Sequence, residues 1–206
     1  MTETAIALAL TGASGAIHGV RLLEALLVAG VEVDLLLSTA ARTVLAEECG
    51  LNVSGDGEEV VAVFRQFSRR TDAEGLYRRV RHHGLMDWRS RLASGSGGRR
   101  KMVICPCSMG TLAAVSMGLS DNLLERAADV VIKERGMLIM VPRETPLSAI
   151  HLENMLRLTR MGVVVLPASP GYYHHPQGVL DLVDFIVARV MEQLGLAQQV
   201  MQPWGR

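Results

Sequence analysis

Residues 4–37, TAIALALTGASGAIHGVRLLEALLVAGVEVDLLL, determine the fold of this chain. The first seven residues are apolar apart from Thr4 and too few for a helix, which is typical of a strand buried on both faces of a parallel sheet. A helix is predicted at about 16–29, ended by Gly30, and a second buried strand at 31–37. Strand, helix and strand in this order predict a parallel α/β sheet.

The rest of the chain continues this alternation. Further strands are predicted at 102–105, 136–141 and 162–167, with a turn at Pro106. Further helices are predicted at about 39–48, 108–117, 122–135, 148–160 and 179–194. The pattern weakens over 52–101, where a basic stretch precedes a Gly/Ser-rich run at 93–98 that is typical of a mobile loop. No repeat or domain boundary is evident, so we expect one domain over 1–206.

Composition excludes several classes of protein. Of the 206 residues 49% are hydrophobic, and the 21 Lys and Arg residues balance the 21 Asp and Glu residues. This balance argues against a nucleic-acid partner. No apolar run reaches membrane-spanning length and no secretory signal pattern begins the chain, so we expect a cytoplasmic protein.

The cysteines and histidines do not form a metal site in the sequence. Cys49, Cys105 and Cys107 are too few and too unevenly spaced for a disulfide framework, and we expect reduced thiols. The histidine pairs 82–83 and 174–175 lack cysteine or acidic ligands at zinc spacing. We therefore expect no metal.

The turn Thr11-Gly-Ala-Ser-Gly15 joins the first strand to a helix. Backbone amides and the positive end of a helix dipole suit a phosphate or a flavin edge there. The glycine spacing differs from the dinucleotide fingerprint, and Ser38 stands where a ribose-binding acid would end the second strand. Tight helix–strand packing explains a lone turn of this kind about equally well.

Two further motifs suggest anion binding. Ser108 follows a predicted strand as the N-cap of a helix, where its hydroxyl either caps the helix or contacts a ligand. Arg126 and Lys133 lie seven residues apart on one helix face, a spacing that presents two cations to one phosphate. A surface pair between Asp129 and Lys133 is the alternative, and spacing alone slightly favours it.

Two proline-bracketed loops, 142–146 (PRETP) and 170–176 (PGYYHHP), follow buried strands. Function in parallel sheets gathers outside the carboxyl ends of the strands, so loops that carry Arg, Glu and Tyr predict one active-site rim. Ordinary strand exits with solvated charges are the alternative.

Taken together, these motifs resemble those of the UbiX-type flavin prenyltransferases. The resemblance covers nearly the whole chain, in order, and rests on Thr11–Gly15, Cys105–Ser108, Glu125–Asp129, Lys133–Arg135, Pro142–Pro146, His151–Met155 and Tyr173-His174. It implies a flavodoxin-like (Rossmann-like) three-layer α/β sandwich with a mainly parallel sheet. It also implies a metal-independent transferase that joins a dimethylallyl group to reduced FMN, first at N5 and then at the ring carbon C6. The product, prenylated FMN, would serve a UbiD-type decarboxylase.

The same resemblance assigns residue roles. It implies that FMN is held by Gly12, Ala13, Ser14, Ser38, Ser108, Met109, Gly110, Thr111 and Arg143. Dimethylallyl phosphate would be bound by Lys133, Glu144, Tyr173 and Arg189, with Arg126 nearby and with Trp88 and Trp204 as pocket walls. Ser14 and Glu48 would relay protons, and Lys133 and Glu144 would act at the phosphate. Ordinary packing is an equally good interpretation of Trp204.

Several alternatives remain open at this stage. An FMN-dependent flavoprotein of the cysteine-decarboxylase type would share the fold, although its early catalytic histidine is matched only by His18, where many relatives of the resembled family carry Tyr. A non-enzymatic FMN carrier would not need the second phosphate grip. The resemblance also implies a homo-oligomer, a dodecamer, and leaves a monophosphate or pyrophosphate donor equally open.

Overall fold

A computed structural model describes residues 5–68, 70–97 and 100–201 of the chain. Its sheet contains β1 (Ala5–Leu10), β2 (Glu32–Leu37), β3 (Val80–His83), β4 (Lys101–Cys107), β5 (Met137–Pro142) and β6 (Val164–Val165). All pairings are parallel, in the order β3-β2-β1-β4-β5-β6. The parallel sheet predicted from residues 4–37 is confirmed.

Helices cover both faces of the sheet. They are α1 (Ala16–Val28), α2 (Thr39–Cys49), α3 (Glu58–Phe67), α4 (Ala73–Tyr77), α5 (Met109–Ser116), α6 (Leu123–Lys133), α7 (Ala149–Arg160) and α8 (Val179–Gln193). One core joins α1–α4 and α8 to one face, and a second joins α5–α7 to the other. This is the three-layer, flavodoxin-like α/β sandwich that the resemblance implies.

Strand β1 lies at the centre of both cores. Ile6 and Leu8 pack into the first core, whereas Ala7 and Ala9 pack into the second, and all four are fully buried. Because consecutive side chains of a strand point to opposite faces, a strand covered on both sides must be apolar throughout. The first residues of the chain therefore fix the middle of the sheet.

The segment 52–101 differs most from expectation. It contains α3, α4, the edge strand β3 and a 3-10 helix at Arg91–Ala93. Strand β3 was missed because three of its four residues are polar or charged, although both of its histidines are buried. Part of the Gly/Ser-rich run, residue 98, lies outside the described residues.

Two strand ends also differ from expectation. Strand β4 continues through Pro106 to Cys107 instead of turning at the proline, because Thr11 donates from both its backbone N–H and its hydroxyl to the Pro106 carbonyl. Strand β6 comprises only Val164–Val165. Helix α6 ends at Lys133 because Arg135 is left-handed, with φ of 57°, and Gly136 N–H donates back to the Val131 carbonyl.

Candidate active site

The strands that follow β1 and β4 are added to the sheet in opposite directions, β2 and β3 on one side and β5 and β6 on the other. A crevice therefore forms outside the carboxyl ends of β1 and β4. The Thr11 hydroxyl joins the two strand exits. It donates to the Pro106 carbonyl at 2.9 Å and accepts from the Ser108 N–H at 2.7 Å. Sequence analysis missed this role of Thr11, which fixes the two Gly/Ser-rich turns relative to each other.

Three helices begin at this edge, after the neighbouring strands β2, β1 and β4. Ser38 caps α2 by accepting from Ala41 N–H at 3.0 Å, and Ser108 caps α5 by accepting from Thr111 N–H at 3.3 Å. The capping interpretation of Ser108 is therefore observed. Three helix N-termini in one place also concentrate positive potential and backbone donors, which suits an anion.

Two glycines define the space at these turns. A Cβ added to Gly12 would lie 2.4 Å from the Cβ of Ala40, so the first turn and α2 approach each other too closely for any side chain. No atom of the described residues lies within 4 Å of a Cβ added to Gly110, so the start of α5 faces open space. Amide donors around open space fit the phosphate and polar edge of FMN. Met109 contributes through its backbone, because its side chain is buried in the second core.

Glu48, at the end of α2, binds the turn that begins α1. Its Oε2 accepts from Gly15 N–H at 2.8 Å and from Ala16 N–H at 2.9 Å. Burial by itself would raise the pKa of Glu48, but hydrogen bonds from Ser14 and these amides, with the charge of Arg143, hold its pKa below the usual range. Glu48 is therefore ionised at neutral pH and can accept a proton.

His18 lies on the first turn of α1, close to this carboxylate. Its Nδ1 donates to the Gly15 carbonyl at 3.0 Å. Burial lowers the pKa of His18, against the opposing effects of the Gly15 hydrogen bond and the Glu48 charge. The imidazole is therefore neutral at neutral pH and leaves Nε2 as an acceptor.

Arg143 connects the exit of β5 to the turn after β1. Its Nε donates to the Ser14 carbonyl at 3.2 Å, and its own N–H donates to the Cys107 carbonyl. The structure thus gathers at one edge the residues expected to hold FMN, namely Gly12, Ala13, Ser14, Ser38, Ser108, Met109, Gly110, Thr111 and Arg143.

The first proline-bracketed loop lies beside the segment that leads into the second one. Ala168 N–H donates to the Pro142 carbonyl at 3.0 Å, and a cavity of about 310 Å³ lies between 142–147 and 167–169. Its lining includes Arg143, Glu144, Met155 and Ser169. Glu144 is exposed and is oriented by the backbone N–H of Thr145, which donates to Oε1 at 3.0 Å.

Tyr173 is held in an aromatic cluster beside this rim. Its ring meets those of His174 and Phe185 edge to face, with centroid separations of 5.9 and 5.7 Å. A Cβ on Gly171 would lie 3.0 Å from both Phe185 and Tyr173, so an alanine there would push these rings apart by a few tenths of an ångström. Arg189 follows Phe185 by one turn of α8 and pairs with Glu192. Tyr173 and Arg189 therefore lie on one side of α8.

Lys133 does not join this group within one chain. It ends α6 just before β5 begins, whereas Arg143 follows the end of β5. A six-residue strand such as β5 is about 20 Å long. The two cations therefore lie at opposite edges of the sheet.

Arg126 also lies on α6, one turn from its beginning. Its Nε donates to the Ala93 carbonyl at 3.0 Å, and its Nη1 pairs with Asp129 at 2.7 Å. Lys133 pairs with Glu134 at 2.5 Å. The expected surface pair of Asp129 with Lys133 is thus replaced by other ion pairs, and α6 with the segment beside it forms a separate charged surface.

The remaining expected residues are more scattered. Trp88 lies on the loop after β3 and is 45% exposed, and Trp204 is outside the described residues. Among residues 5–68, 70–97 and 100–201, no group of His, Cys, Asp and Glu could hold a metal ion, and no helix could cross a membrane. Burial raises the pKa of Cys105 and Cys107, which suits packed thiols rather than nucleophiles.

Comparison with known proteins agrees with this geometry. The Flavoprotein family model matches residues 1–191. Flavin prenyltransferase UbiX of Pseudomonas aeruginosa is 48% identical over 97% of this chain and 93% of its own length.

Two solved structures are similar over nearly the whole chain. AnUbiX in complex with FMN and dimethylallyl pyrophosphate has a TM-score of 0.84 at 34% identity, covering 99% of this chain and 98% of its own. A dodecameric FMN-dependent UbiX-like decarboxylase from Escherichia coli has a TM-score of 0.83 at 40% identity, covering 98% and 100%. The chain belongs to the Flavoprotein family and, within it, to the UbiX flavin prenyltransferases.

Proposed function

We propose that this protein is a flavin prenyltransferase that joins the dimethylallyl group of dimethylallyl phosphate to reduced FMN and passes the prenylated FMN to a UbiD-type decarboxylase. The observation that carries the proposal is the position of Arg143, which lies between two sets of residues that are each suited to binding an anion. On one side lie the turns that begin α1, α2 and α5, and on the other the cavity lined by Glu144 and Ser169, where we place Tyr173 and Arg189 as further ligands of the donor.

The flavin end is formed by backbone donors. Gly12, Ala13 and Ser14, with Ser38 and the start of α5, offer amides and hydroxyls around the open space above Gly110. Reduced FMN bound there supplies the nucleophilic nitrogen N5 and the neighbouring ring carbon C6. Arg143 is placed to contact the flavin while it holds the Ser14 carbonyl.

The donor end is formed by groups that stabilise a departing phosphate. Arg143 and Arg189 supply positive charge, and the Tyr173 hydroxyl supplies a hydrogen bond. Glu144 would repel a phosphate dianion, so the pair must share a proton there. This arrangement lets Glu144 exchange a proton with the leaving phosphate without a metal.

Ser14 and Glu48 form the proton relay. Glu48 is ionised, and the Ser14 hydroxyl is hydrogen-bonded to it. A carboxylate with a lowered pKa is a poor acid but an available acceptor, so Glu48 would take up a proton through Ser14. The acid for the complementary step would then come from the phosphate side of the site.

A second copy of the chain would complete the site. Lys133 lies too far from Arg143 to contact the same phosphate in one chain, and Arg126 of the same helix is bound to the Ala93 carbonyl and Asp129. We therefore place both in a neighbouring copy's site. Helix α7 and its flanks expose apolar side chains that suit such an assembly: Leu147, Ile150, Leu152, Leu156 and Met161, each 43–67% exposed. The dodecamer of the UbiX-like relative is the assembly we propose.

The aromatic residues would shield the reacting carbon. Trp88 is exposed on the loop after β3, and an indole face stabilises an allylic cation as phosphate leaves. Trp204 is proposed for the same role. A single domain over 1–206 and a cytoplasmic location complete the proposal.

The direct test is anaerobic incubation of the protein with reduced FMN and dimethylallyl phosphate, with separation of the flavins formed. Wild-type protein should form a new flavin, and Glu144→Gln should lose at least a hundredfold in rate because the phosphate then lacks its proton partner. Glu47→Gln, the same carboxyl-to-carboxamide change at an exposed position of α2, is the matched control and should retain the rate. Binding of FMN without any new flavin would favour a carrier.

The two-copy site has its own test. Lys133→Met and Tyr173→Phe should each be nearly inactive as uniform assemblies. Assemblies reconstituted from a mixture of the two variants should regain activity, because some sites then receive Lys133 from one copy and Tyr173 from another. Mixtures no more active than either variant would contradict a shared site.

A further inference from the structure

A buried polar cluster lies at the edge of the sheet formed by β2 and β3. Asp34 of β2 is 1% exposed, and its Oδ1 is 2.8 Å from Nε2 of His83 on β3. The other ring nitrogen of His83, Nδ1, is 3.0 Å from the Ser90 hydroxyl. Asp34, His83 and Ser90 therefore form a continuous hydrogen-bonded chain from a strand to the loop after β3.

Arg91 supplies the positive charge of the cluster. Its Nη2 donates to Asp34 Oδ1 at 2.9 Å, and its side chain is 35% exposed. A buried carboxylate is stable only when it is paired and hydrogen-bonded, and Arg91 and His83 both meet that need. The cluster therefore binds the loop to the sheet with charged as well as neutral hydrogen bonds.

The order Ser, His and Asp resembles that of a hydrolytic triad, but the burial of these residues excludes that role. Ser90 is 8% exposed, and its hydroxyl also accepts from Leu92 N–H to begin the 3-10 helix. A nucleophile must reach its substrate, and Ser90 faces His83 inside the protein. The cluster is therefore better suited to holding the loop than to chemistry.

The loop held in this way runs along α6. Leu85 accepts at its carbonyl from Leu123 N–H at 2.7 Å, and Ala93 accepts from Arg126 Nε at 3.0 Å. Further along, a Cβ on Gly95 would lie 2.1 Å from Glu134 Oε1 and 2.8 Å from Lys133 Nζ, so the loop backbone packs on the ion pair of these two residues. Both cations of the α6 surface are thus in contact with the segment that the cluster anchors.

We propose that Asp34, His83, Ser90 and Arg91 are positioning residues, which fix the loop 84–97 against α6 and so place Arg126 and Lys133 for the phosphate of the prenyl donor. The proposal rests on the proposed function. Loss of the cluster would loosen the cations that grip the donor. It would leave the FMN turns, which lie after β1, β2 and β4, in place.

The test compares Ser90→Ala and Asp34→Asn with Asp184→Asn in the assembled protein. Asp184 is the matched control, because it forms a two-pronged ion pair with Arg21 between α1 and α8, at 3.0 and 2.9 Å, away from α6. We expect the KM for dimethylallyl phosphate to rise about tenfold in both cluster variants and to stay within twofold in the control. The Kd for FMN should stay within twofold in all three.

A purely structural role would give a different result. Partial unfolding lowers the active fraction and hence the apparent kcat, but it leaves the KM for the donor unchanged. Hydrogen exchange of the amides in 84–97 provides a readout without turnover and should accelerate at least tenfold in Asp34→Asn but not in Asp184→Asn. Should Asp34→Asn fail to fold, Ser90→Ala, which removes one hydroxyl, carries both measurements.

The outcomes separate the two proposals. If the wild-type protein is active and the KM for the donor in both cluster variants stays within twofold of the wild-type value, the positioning role is overturned and the proposed function stands. Unchanged exchange in 84–97 would do the same. Wild-type protein that forms no prenylated flavin would overturn the proposed function, and the donor role of the cluster with it, whatever the exchange result.

Discussion

Replacing Glu48 with Gln tests whether this carboxylate acts as a helix cap, a proton acceptor or both. The glutamine oxygen can still accept from Gly15 and Ala16, but it carries no charge. Charge-assisted hydrogen bonds contribute about 1 kcal/mol more than neutral ones, so two of them suggest a loss of about 2 kcal/mol. Because Glu48 is exposed, solvent screens this difference, and we expect a loss of about 1 kcal/mol in the free energy of unfolding.

That loss corresponds to a fall in Tm of about 2–4 °C for a chain of this size. The pKa of Glu48 is lowered in the folded protein, so its contribution is present above the ordinary value of 4.5 and is lost as pH falls through the folded pKa. The Tm difference between wild type and Glu48→Gln should therefore be present at pH 7 and shrink below pH 4.5. Glu47→Gln makes the same charge change on the adjacent exposed residue and should leave Tm within 1 °C, roughly.

The catalytic role is measured separately, by following the flavin product by absorbance after mixing under anaerobic conditions. If Glu48 accepts the proton through Ser14, Glu48→Gln should slow ring closure about a hundredfold or more while the donor is still consumed. A rate equal to that of Glu47→Gln, with the Tm loss present, would refute the relay and leave Glu48 as a cap only.

Burial lowers the pKa of His82 from 6.5 to about 4, so below pH 6.5 the unfolded chain takes up a proton that the folded protein does not. Urea unfolding should therefore show a free energy of unfolding about 2 kcal/mol lower at pH 5 than at neutral pH. His82→Asn should remove this pH dependence. Gly19→Ala would place a methyl group 2.4 Å from the Cys105 carbonyl oxygen, so α1 must move and the free energy of unfolding should fall by about 1–3 kcal/mol. Gly75→Ala, within α4 and with no protein atom within 4 Å among the described residues, should instead raise it by about 0.5–1 kcal/mol, because alanine favours the helix. Ile150→Asp puts a charge on the apolar surface of α7, and light scattering after size exclusion should show a smaller assembly; an unchanged mass would remove α7 from the interface.

The strands that the sequence predicts well are those buried on both faces. β1 and β5 can be recognised in the sequence as continuous apolar runs, because both faces of each strand are covered and every position must be apolar. β3 does not, because its buried histidines have polar partners elsewhere in the chain: His83 has Asp34 and Ser90, and His82 accepts from the Gly57 N–H at Nδ1, although its Nε2 is buried without a hydrogen bond. Asp34, a charged residue inside a strand that the sequence predicts to be buried, was the available signal that a polar partner lay beside β2.

The site was predictable to the extent that it follows strand ends. Residues that come just after parallel strands must meet at one edge, which brings Ser14, Ser108 and Arg143 together. By the same rule Lys133, which comes just before β5, must lie at the other edge, and sequence order already contained that information. The contacts of Ala93 and Gly95 with α6 depend on the path of a long loop, for which periodicity gives no guide.

The measurement that tests prenyl transfer most directly is the mass of the flavin released after anaerobic turnover with reduced FMN and deuterium-labelled dimethylallyl monophosphate. We predict FMN heavier by one five-carbon unit that retains the whole label, formed in more than one equivalent per site. FMN released at its original mass, with the monophosphate and with the pyrophosphate alike, would contradict the account.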